Sequence, residues 1–298
     1  MPDIAFWNKC NNKCVMCTNM DSFVRQKKDM YGLKFHIARL NRYLAGEKGI
    51  YVKNPQRRDY INLTGGEPTM HPDFFPLLYY FRKKTAGLNI TLLTNGRIFS
   101  DRKFAEKFLK IAHPPFTVAA AVHGSNAAVH DGITGVSGSF RETMKGLEHL
   151  FLMRGGHGIE IRIVLHKMNI KNFGAILKML LRKFPETAGY RIVAIHYEIE
   201  GRSIKNQKIV RLSLAESCVE VGKAADTIKK FLEFRLYHFP LCMVQKSLRK
   251  LCWITLPEKE RIYPGKCLKC VLKKNCVGLM REYYKKFGDS EITAVNSD

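Results

Sequence analysis

The sequence predicts an α/β protein in which a parallel sheet is covered by helices, followed by a small cysteine-rich C-terminal region. Three observations lead there. Short apolar runs alternate with stretches of helical periodicity between residues 4 and 197, the order that produces parallel strands joined by crossover helices. The runs are apolar almost without interruption, as strands buried on both faces are. Beyond residue 201 the alternation ceases, and five of the nine cysteines follow after residue 240.

Strand-like runs occupy residues 4–7, 60–64, 89–94, 116–122, 160–165 and 191–197, and helical spacing fills 33–44, 74–84, 102–111, 141–153 and 172–184. The second strand stops at Gly65-Gly66-Glu67-Pro68 and the third at Asn95-Gly96, both strong turn signals. Ser139 is expected to cap a helix starting at Phe140, with Thr143 and Leu147 at helical spacing behind it. A helical connector over 214–231 leads into the cysteine-rich part, so residues 1–205 and 206–298 are expected to be separate domains. Six β/α repeats fit a closed or a partial barrel, and either form gathers active groups at the C-terminal ends of its strands. Cys10, Gly65, Asn95, His123, His166 and His196 all stand at such ends.

At 298 residues, 46% of them hydrophobic, the chain can bury a full core as one large domain or as a large and a small one. No apolar run reaches the roughly 18–20 residues that span a bilayer. The start, Met1-Pro2-Asp3, lacks the basic and apolar regions of a signal peptide. A soluble, cytoplasmic protein without membrane contact is expected. In that reducing compartment nine cysteines point to metal ligation rather than disulfides. The formal net charge is +24, from 50 Lys and Arg against 26 Asp and Glu. Such a field attracts polyanions, RNA among them, although no helix-turn-helix or aromatic RNA-binding motif can be read.

The chemistry-bearing motif comes early. Cys10, Cys14 and Cys17 are spaced C-x3-C-x2-C directly after the first strand. Three thiolates on one loop hold three corners of a cubane iron–sulfur cluster and leave the fourth iron without a protein ligand. A closed zinc site with a fourth ligand from elsewhere is the alternative. The second motif is Gly65-Gly66-Glu67-Pro68-Thr69, where two glycines let the main chain approach a ligand closely and Pro68 fixes the exit of the loop. A third stretch runs from His123-Gly124 through His130-Asp131 and Thr134-Gly135 to Gly138-Ser139-Phe140.

These three stretches, in this order, resemble the radical S-adenosylmethionine (radical SAM) superfamily. The resemblance selects the partial (β/α)6 barrel from the two barrel forms. It implies a 4Fe-4S cluster on Cys10, Cys14 and Cys17, with S-adenosylmethionine (SAM) chelating the open iron through its amino and carboxylate groups. It implies that the loop of Gly65, Gly66 and Glu67 meets the SAM ammonium, and that an electron from the cluster cleaves SAM to methionine and a 5′-deoxyadenosyl radical. A small electron donor such as flavodoxin or ferredoxin would supply that electron. Asn95 is a candidate for the amino-acid or ribose part of SAM. Arg162, within the fifth strand, is a candidate for a carboxylate if it faces inward. His123 and His196 are candidates for the substrate cavity. Met16 stands where the family often has an aromatic residue.

The C-terminal group is Cys267, Cys270 and Cys276, spaced C-x2-C-x5-C, with Cys242 or Cys252 available as a fourth thiolate. Four thiolates close a cubane cluster; a zinc site of four cysteines is again the alternative. The arrangement resembles the auxiliary-cluster extension called SPASM, or twitch in its one-cluster form. Too few cysteines remain for two auxiliary clusters, so one auxiliary 4Fe-4S cluster is expected. Cys242, in a Pro-Leu-Cys context, is preferred as fourth ligand, because Cys252 lies between Leu251 and Trp253 as a buried structural thiol would. The resemblance implies modification of a peptide or protein side chain, as by a maturase. RNA, or a small-molecule or cofactor precursor, is the alternative substrate, and a non-catalytic two-cluster electron carrier the alternative class. The cysteine loop begins almost at Met1, so a maturase of this form would be expected to need a separate leader-binding partner or another way to hold its substrate.

Overall fold

The computed structural model describes residues 3–19, 31–51 and 60–296. Eight strands lie side by side in sequence order: β1 (Asp3–Trp7), β2 (Tyr60–Gly65), β3 (Asn89–Thr94), β4 (Phe116–Ala121), β5 (Gly158–Leu165), β6 (Arg191–His196), β7 (Glu233–Tyr237) and β8 (Cys252–Trp253). The pairs β1–β2, β2–β3, β3–β4, β6–β7 and β7–β8 are parallel. All six strands read from the sequence are present. The sheet then continues by two further strands, formed from the segment that the sequence pattern assigned to a different kind of chain.

The chain divides into two compact units. The first comprises Met1–Lys13, Asn19–Val122 and Gly138–Glu160. It holds β1 to β4 with helices α1 (Leu33–Leu44), α2 (Phe74–Lys84) and α3 (Arg102–Ile111). In β2 and β3 the alternate residues Ile61, Leu63, Ile90 and Leu92 are wholly buried, and Leu77, Leu78 and Phe81 of α2 and Phe108 of α3 are equally buried. The phenylalanines of this core meet edge to face, Phe99 on Phe108 and Phe108 on Phe116. This geometry suits the aromatic quadrupole. The other face of β2 and β3 is half-buried and polar, carrying Asn62, Thr64, Asn89 and Thr91. Burial therefore selects which side of each strand meets helices.

The second unit comprises Cys14–Thr18, His123–Ser137 and Ile161–Asp298. Here α4 (Ala127–Thr134) begins at Asn126, whose side chain accepts a hydrogen bond from the Val129 N–H, and ends at Gly135 in a left-handed conformation. The sequence pattern missed this two-turn helix. The next helix, α5 (Ser139–Met153), lies in the first unit and starts one residue earlier than expected. Ser139 is its first helical residue and is fully buried, and Gly138 takes the cap position with a φ of 81°. Helix α6 (Phe173–Lys183) follows β5, and four short helices follow β6: α7 (Arg202–Lys205), α8 (Gln207–Val210), α9 (Leu214–Lys223) and α10 (Ala225–Ile228). A complete capping box at Ser213 and Glu216 starts α9. The chain ends in a small antiparallel pair, β9 (Arg261–Ile262) with β10 (Leu279–Met280), and helix α11 (Arg281–Phe287).

Candidate active site

In the first unit the loop after β2 is interleaved with the backbone leading into Cys10. The Gly66 N–H donates to the Trp7 carbonyl at 2.6 Å and the Glu67 N–H to the Lys9 carbonyl at 2.8 Å. A methyl group on Gly66 would stand 2.2 Å from the Lys9 carbonyl oxygen, and one on Gly65, whose φ is 126°, 2.2 Å from that of Trp7. Both glycines are therefore required by close backbone approach. They bring β2 against the root of the cysteine loop.

The Glu67 side chain braces the loop from within. Its carboxylate is buried and accepts four hydrogen bonds: from the Thr69 N–H at 3.2 Å, the Thr69 hydroxyl at 2.7 Å, the Thr94 hydroxyl at 2.8 Å and the Asn95 N–H at 2.7 Å. Burial pushes its pKa up, against these donors, which pull it down. The side chain ties the turn after β2 to the turn after β3. Its acceptor capacity is spent within the protein.

That turn after β3 reaches the cysteine loop. Asn95 Nδ2 donates to Asn11 Oδ1 at 2.6 Å and lies 4.0 Å from Cys10 Sγ. Its carbonyl accepts the Thr143 hydroxyl of α5 at 2.9 Å. Arg97, two residues on, donates through Nη1 to the Asn11 carbonyl at 2.7 Å and to Asn12 Oδ1 at 2.8 Å, and through Nε to Glu142 at 2.6 Å. The Asn12 N–H points at Cys10 Sγ, 3.3 Å away. Sequence reasoning found Asn95 and missed Arg97, Glu142 and the two asparagines. The available signal was position alone, a basic residue directly after an Asn-Gly turn at a strand end.

Cys14 and Cys17 belong to the second unit. There the Val15 N–H donates to the Ile133 carbonyl at 3.0 Å, Asn206 Nδ2 to the Val15 carbonyl at 2.8 Å, and the Arg202 N–H to the Cys17 carbonyl at 2.8 Å. Gly201 allows that last approach, because a Cβ there would stand 2.6 Å from the Cys17 carbonyl oxygen. Met16 is buried. Arg162 lies on the half-exposed face of β5, with its guanidinium 5.7 Å from the centroid of the Tyr237 ring. Inward placement was the condition for its candidacy, and the alternation with buried Ile161 and Ile163 assigns it to the face away from the helices.

This unit contains four buried histidines at or just beyond strand ends: His123, and after or closing its strands His166 (β5), His196 (β6) and His238 (β7). Burial lowers all four pKa values: His166 and His238 to about 4, His196 to about 3, and His123 well below its ordinary value. They are neutral at pH 7. His196 Nδ1 pairs with the Ser217 hydroxyl at 3.0 Å, and its ring packs against Tyr197, Phe239 and Tyr283. That environment makes His196 a packed, hydrogen-bonded residue of the core. His238 is the single non-glycine residue with positive φ among those described, at 69°. Its Nδ1 lies 3.1 Å from the His196 carbonyl and its Nε2 3.5 Å from Glu198.

The C-terminal cysteines come together. Cys242, Cys267, Cys270 and Cys276 line one cavity, with Tyr263, Gly278 and Ile292 among its other walls. Backbone donors point at two of the sulfurs: the Leu241 and Gly278 N–H groups at Cys276 Sγ, 3.3 and 3.4 Å away, and the Val295 N–H at Cys270 Sγ, 3.4 Å away. Burial raises the thiols of Cys242, Cys267 and Cys276, with Cys267 pushed up to about 11. Neighbouring thiols add to the rise. Metal or cluster binding requires thiolates, so it would draw these raised thiols out of their protonated form. Among the described residues no three His, Cys, Asp or Glu side chains converge as for a single bound ion, so the fit rests on the shared cavity and the donors aimed at its sulfurs. Cys252 lies outside that lining, as does Cys218; burial pushes both thiols up to about 12. None of the nine cysteines forms a disulfide.

Among curated proteins, the Fe-coproporphyrin III synthase of Methanosarcina barkeri is 27% identical over 237 residues, 77% of this chain and 52% of its own. The mycofactocin maturase MftC of Mycobacterium tuberculosis is 32% identical over 112 residues, 37% of this chain and 27% of its own. The chain thus spans about half the length of the first relative and about a quarter of the second. Among solved structures, native anSMEcpe with bound AdoMet and Cp18Cys peptide has a TM-score of 0.55 at 17% identity, covering 78% of this chain and 62% of its own. That likeness is one of fold. The family model described as the radical SAM superfamily matches residues 4–180, more than half of the chain, and so the protein belongs to the radical SAM superfamily.

Proposed function

We propose that the enzyme uses SAM cleavage to modify a side chain of a peptide or protein, with one auxiliary cluster in its C-terminal region, residues 206–298. Membership of the superfamily brings a 4Fe-4S cluster and SAM. When bound and reduced, that cluster supplies the electron that splits SAM into methionine and a 5′-deoxyadenosyl radical. Cys10, Cys14 and Cys17 are the proposed ligands. The backbone of Gly65 and Gly66, fixed against Trp7 and Lys9, is the proposed cradle for the SAM ammonium. Glu67 acts through the loop it braces, because its carboxylate is already saturated by Thr69, Thr94 and Asn95. Asn95, beside Cys10, and Arg162, half-exposed on β5, complete the proposed SAM-binding set.

The observation that carries the auxiliary cluster is the cavity shared by Cys242, Cys267, Cys270 and Cys276. Four thiolates satisfy a cubane cluster fully. A peptide substrate is supported by two relatives: MftC is named a maturase, and anSMEcpe is described with a bound peptide. A second reading, a tetrapyrrole-like cofactor precursor, is favoured by the alignment of the Fe-coproporphyrin III synthase over 77% of this chain. An acidic peptide or RNA would suit the net charge of +24. A small electron donor of the flavodoxin or ferredoxin type is the proposed partner.

Iron counting tests the two-cluster reading. After anaerobic reconstitution the wild type should hold about eight irons and the Cys10/Cys14/Cys17→Ala variant about four, as two cubane clusters require. Cys242→Ala should lose iron or alter the auxiliary spectrum, while Cys252→Ala leaves both unchanged. Recovery of zinc in the triple variant would place a structural metal in the C-terminal cavity instead.

A further inference from the structure

Arg97 and Glu142 lie outside the cysteine and glycine motifs, yet they bear on the cysteine loop more directly than any other charged pair among the described residues. Residues 8–13 have no helix or strand to hold them. Between Cys10 and Cys14 the chain relies on side chains for its shape. One guanidinium supplies two of these contacts at once, to the Asn11 carbonyl and to Asn12 Oδ1. Its Nε is occupied by Glu142, which fixes the plane of the fork. The Arg97 side chain is 13% exposed and that of Glu142 40%, and the contact to Asn12 is part-buried while that to the Asn11 carbonyl is exposed.

The neighbouring residue of α5 acts in parallel. Thr143 holds the Asn95 carbonyl, Asn95 Oδ1 accepts the Arg97 N–H at 3.0 Å, and Asn95 Nδ2 holds Asn11. Two consecutive residues of one helix thus brace the segment 95–97, and that segment braces Asn11 and Asn12. The consequence reaches sulfur. With Asn12 clamped, its N–H is aimed at Cys10 Sγ, and such donors to a ligating sulfur, together with a fixed positive charge nearby, raise the reduction potential of an iron–sulfur cluster.

We propose that Arg97, locked by Glu142, is a positioning residue that fixes the Asn11-Asn12 segment so that Cys10 ligates in one geometry and the cluster remains reducible. The proposal rests on Cys10 being a ligand of the SAM-binding cluster, as proposed above. Lysine does not replace the arginine, because a single ammonium cannot present Nε and Nη1 donors in one fork.

The test uses the full-length chain with both clusters reconstituted, read by potentiometry, by the electron paramagnetic resonance signal with and without SAM, and by uncoupled 5′-deoxyadenosine formation. Arg97→Gln should keep its iron content and thermal midpoint near wild type. Its SAM-binding cluster should show a more negative midpoint potential, and 5′-deoxyadenosine formation should fall about 10–100-fold, the usual range for losing a partner of a metal ligand. Glu142→Gln keeps Arg97 and loosens its anchor, so it should show the same potential shift in smaller measure, and it carries the test if Arg97→Gln fails to fold. A wild-type potential and SAM response in both variants would overturn the proposal. If the wild type itself gave no SAM-dependent signal, the failure would lie with the ligand assignment and be visible before any variant was compared.

Discussion

At the scale of single residues, the site is built by close approach. Gly66 shows this most sharply, because its missing side chain is what lets β2 lie against Lys9. Gly66→Ala would force backbone against backbone, where no side chain can rotate away. We expect this variant to lose about 1–3 kcal/mol of stability in urea unfolding and to retain the auxiliary iron while losing most of the iron at Cys10, Cys14 and Cys17. Unchanged iron would mean that the loop after β2 is not what shapes the cysteine loop. The glycines were legible in the sequence because close approach leaves a compositional mark. Arg97 was not, since nothing distinguishes its fork from that of any other strand-end arginine until Asn11, Asn12 and Glu142 are seen around it. Glu67 was legible as a motif member but not in its role, which depends on Thr94 and Asn95, 27 and 28 residues away.

At the scale of elements, strands β5 to β7 end in buried histidines, and their burial links stability to pH. His166, His196 and His238 have pKa values near 4, 3 and 4 in the folded chain, below the ordinary value of 6.5 that they regain on unfolding. Between pH 6.5 and about 4 the unfolded chain therefore binds more protons than the folded one. The sign follows: stability is full above about pH 6.5 and falls as the pH drops toward 4. His36 on α1 adds to the same effect, with burial taking it to about 4. Urea midpoints at pH 7.5 and pH 5 should differ, with the lower value at pH 5; equal midpoints would show that these rings are hydrated or charged in the folded state. The strands β7 and β8 escaped sequence reading for physical reasons at this same scale. Glu233 and Arg235 interrupt the apolar run of β7, with Glu233 paired to Arg191 at 2.7 Å and to Arg235. Strand β8 is two residues long, shorter than any pattern can reveal. Helix α4 was hidden by its glycine and short length, although its Asn126 cap was a readable signal.

At the scale of the whole molecule, no helix among the described residues is long and apolar enough to cross a membrane, and an eight-stranded sheet in sequential order carries the family motifs at the C-terminal ends of its strands. That placement was readable from the β/α alternation alone, because the buried apolar positions of β2 and β3 and the near-continuous apolar run of β4 need no long-range information to be seen. Cys242 lines one cavity with Cys267, Cys270 and Cys276, up to 34 residues away in the chain, and Cys252 is not part of that lining. The central claim is that Cys10, Cys14 and Cys17 hold a cluster that cleaves SAM, and it is tested most directly by anaerobic reconstitution with SAM and reductant followed by mass spectrometry of 5′-deoxyadenosine. The wild type should form it and Cys14→Ala should form none; equal amounts from the two proteins would contradict the account.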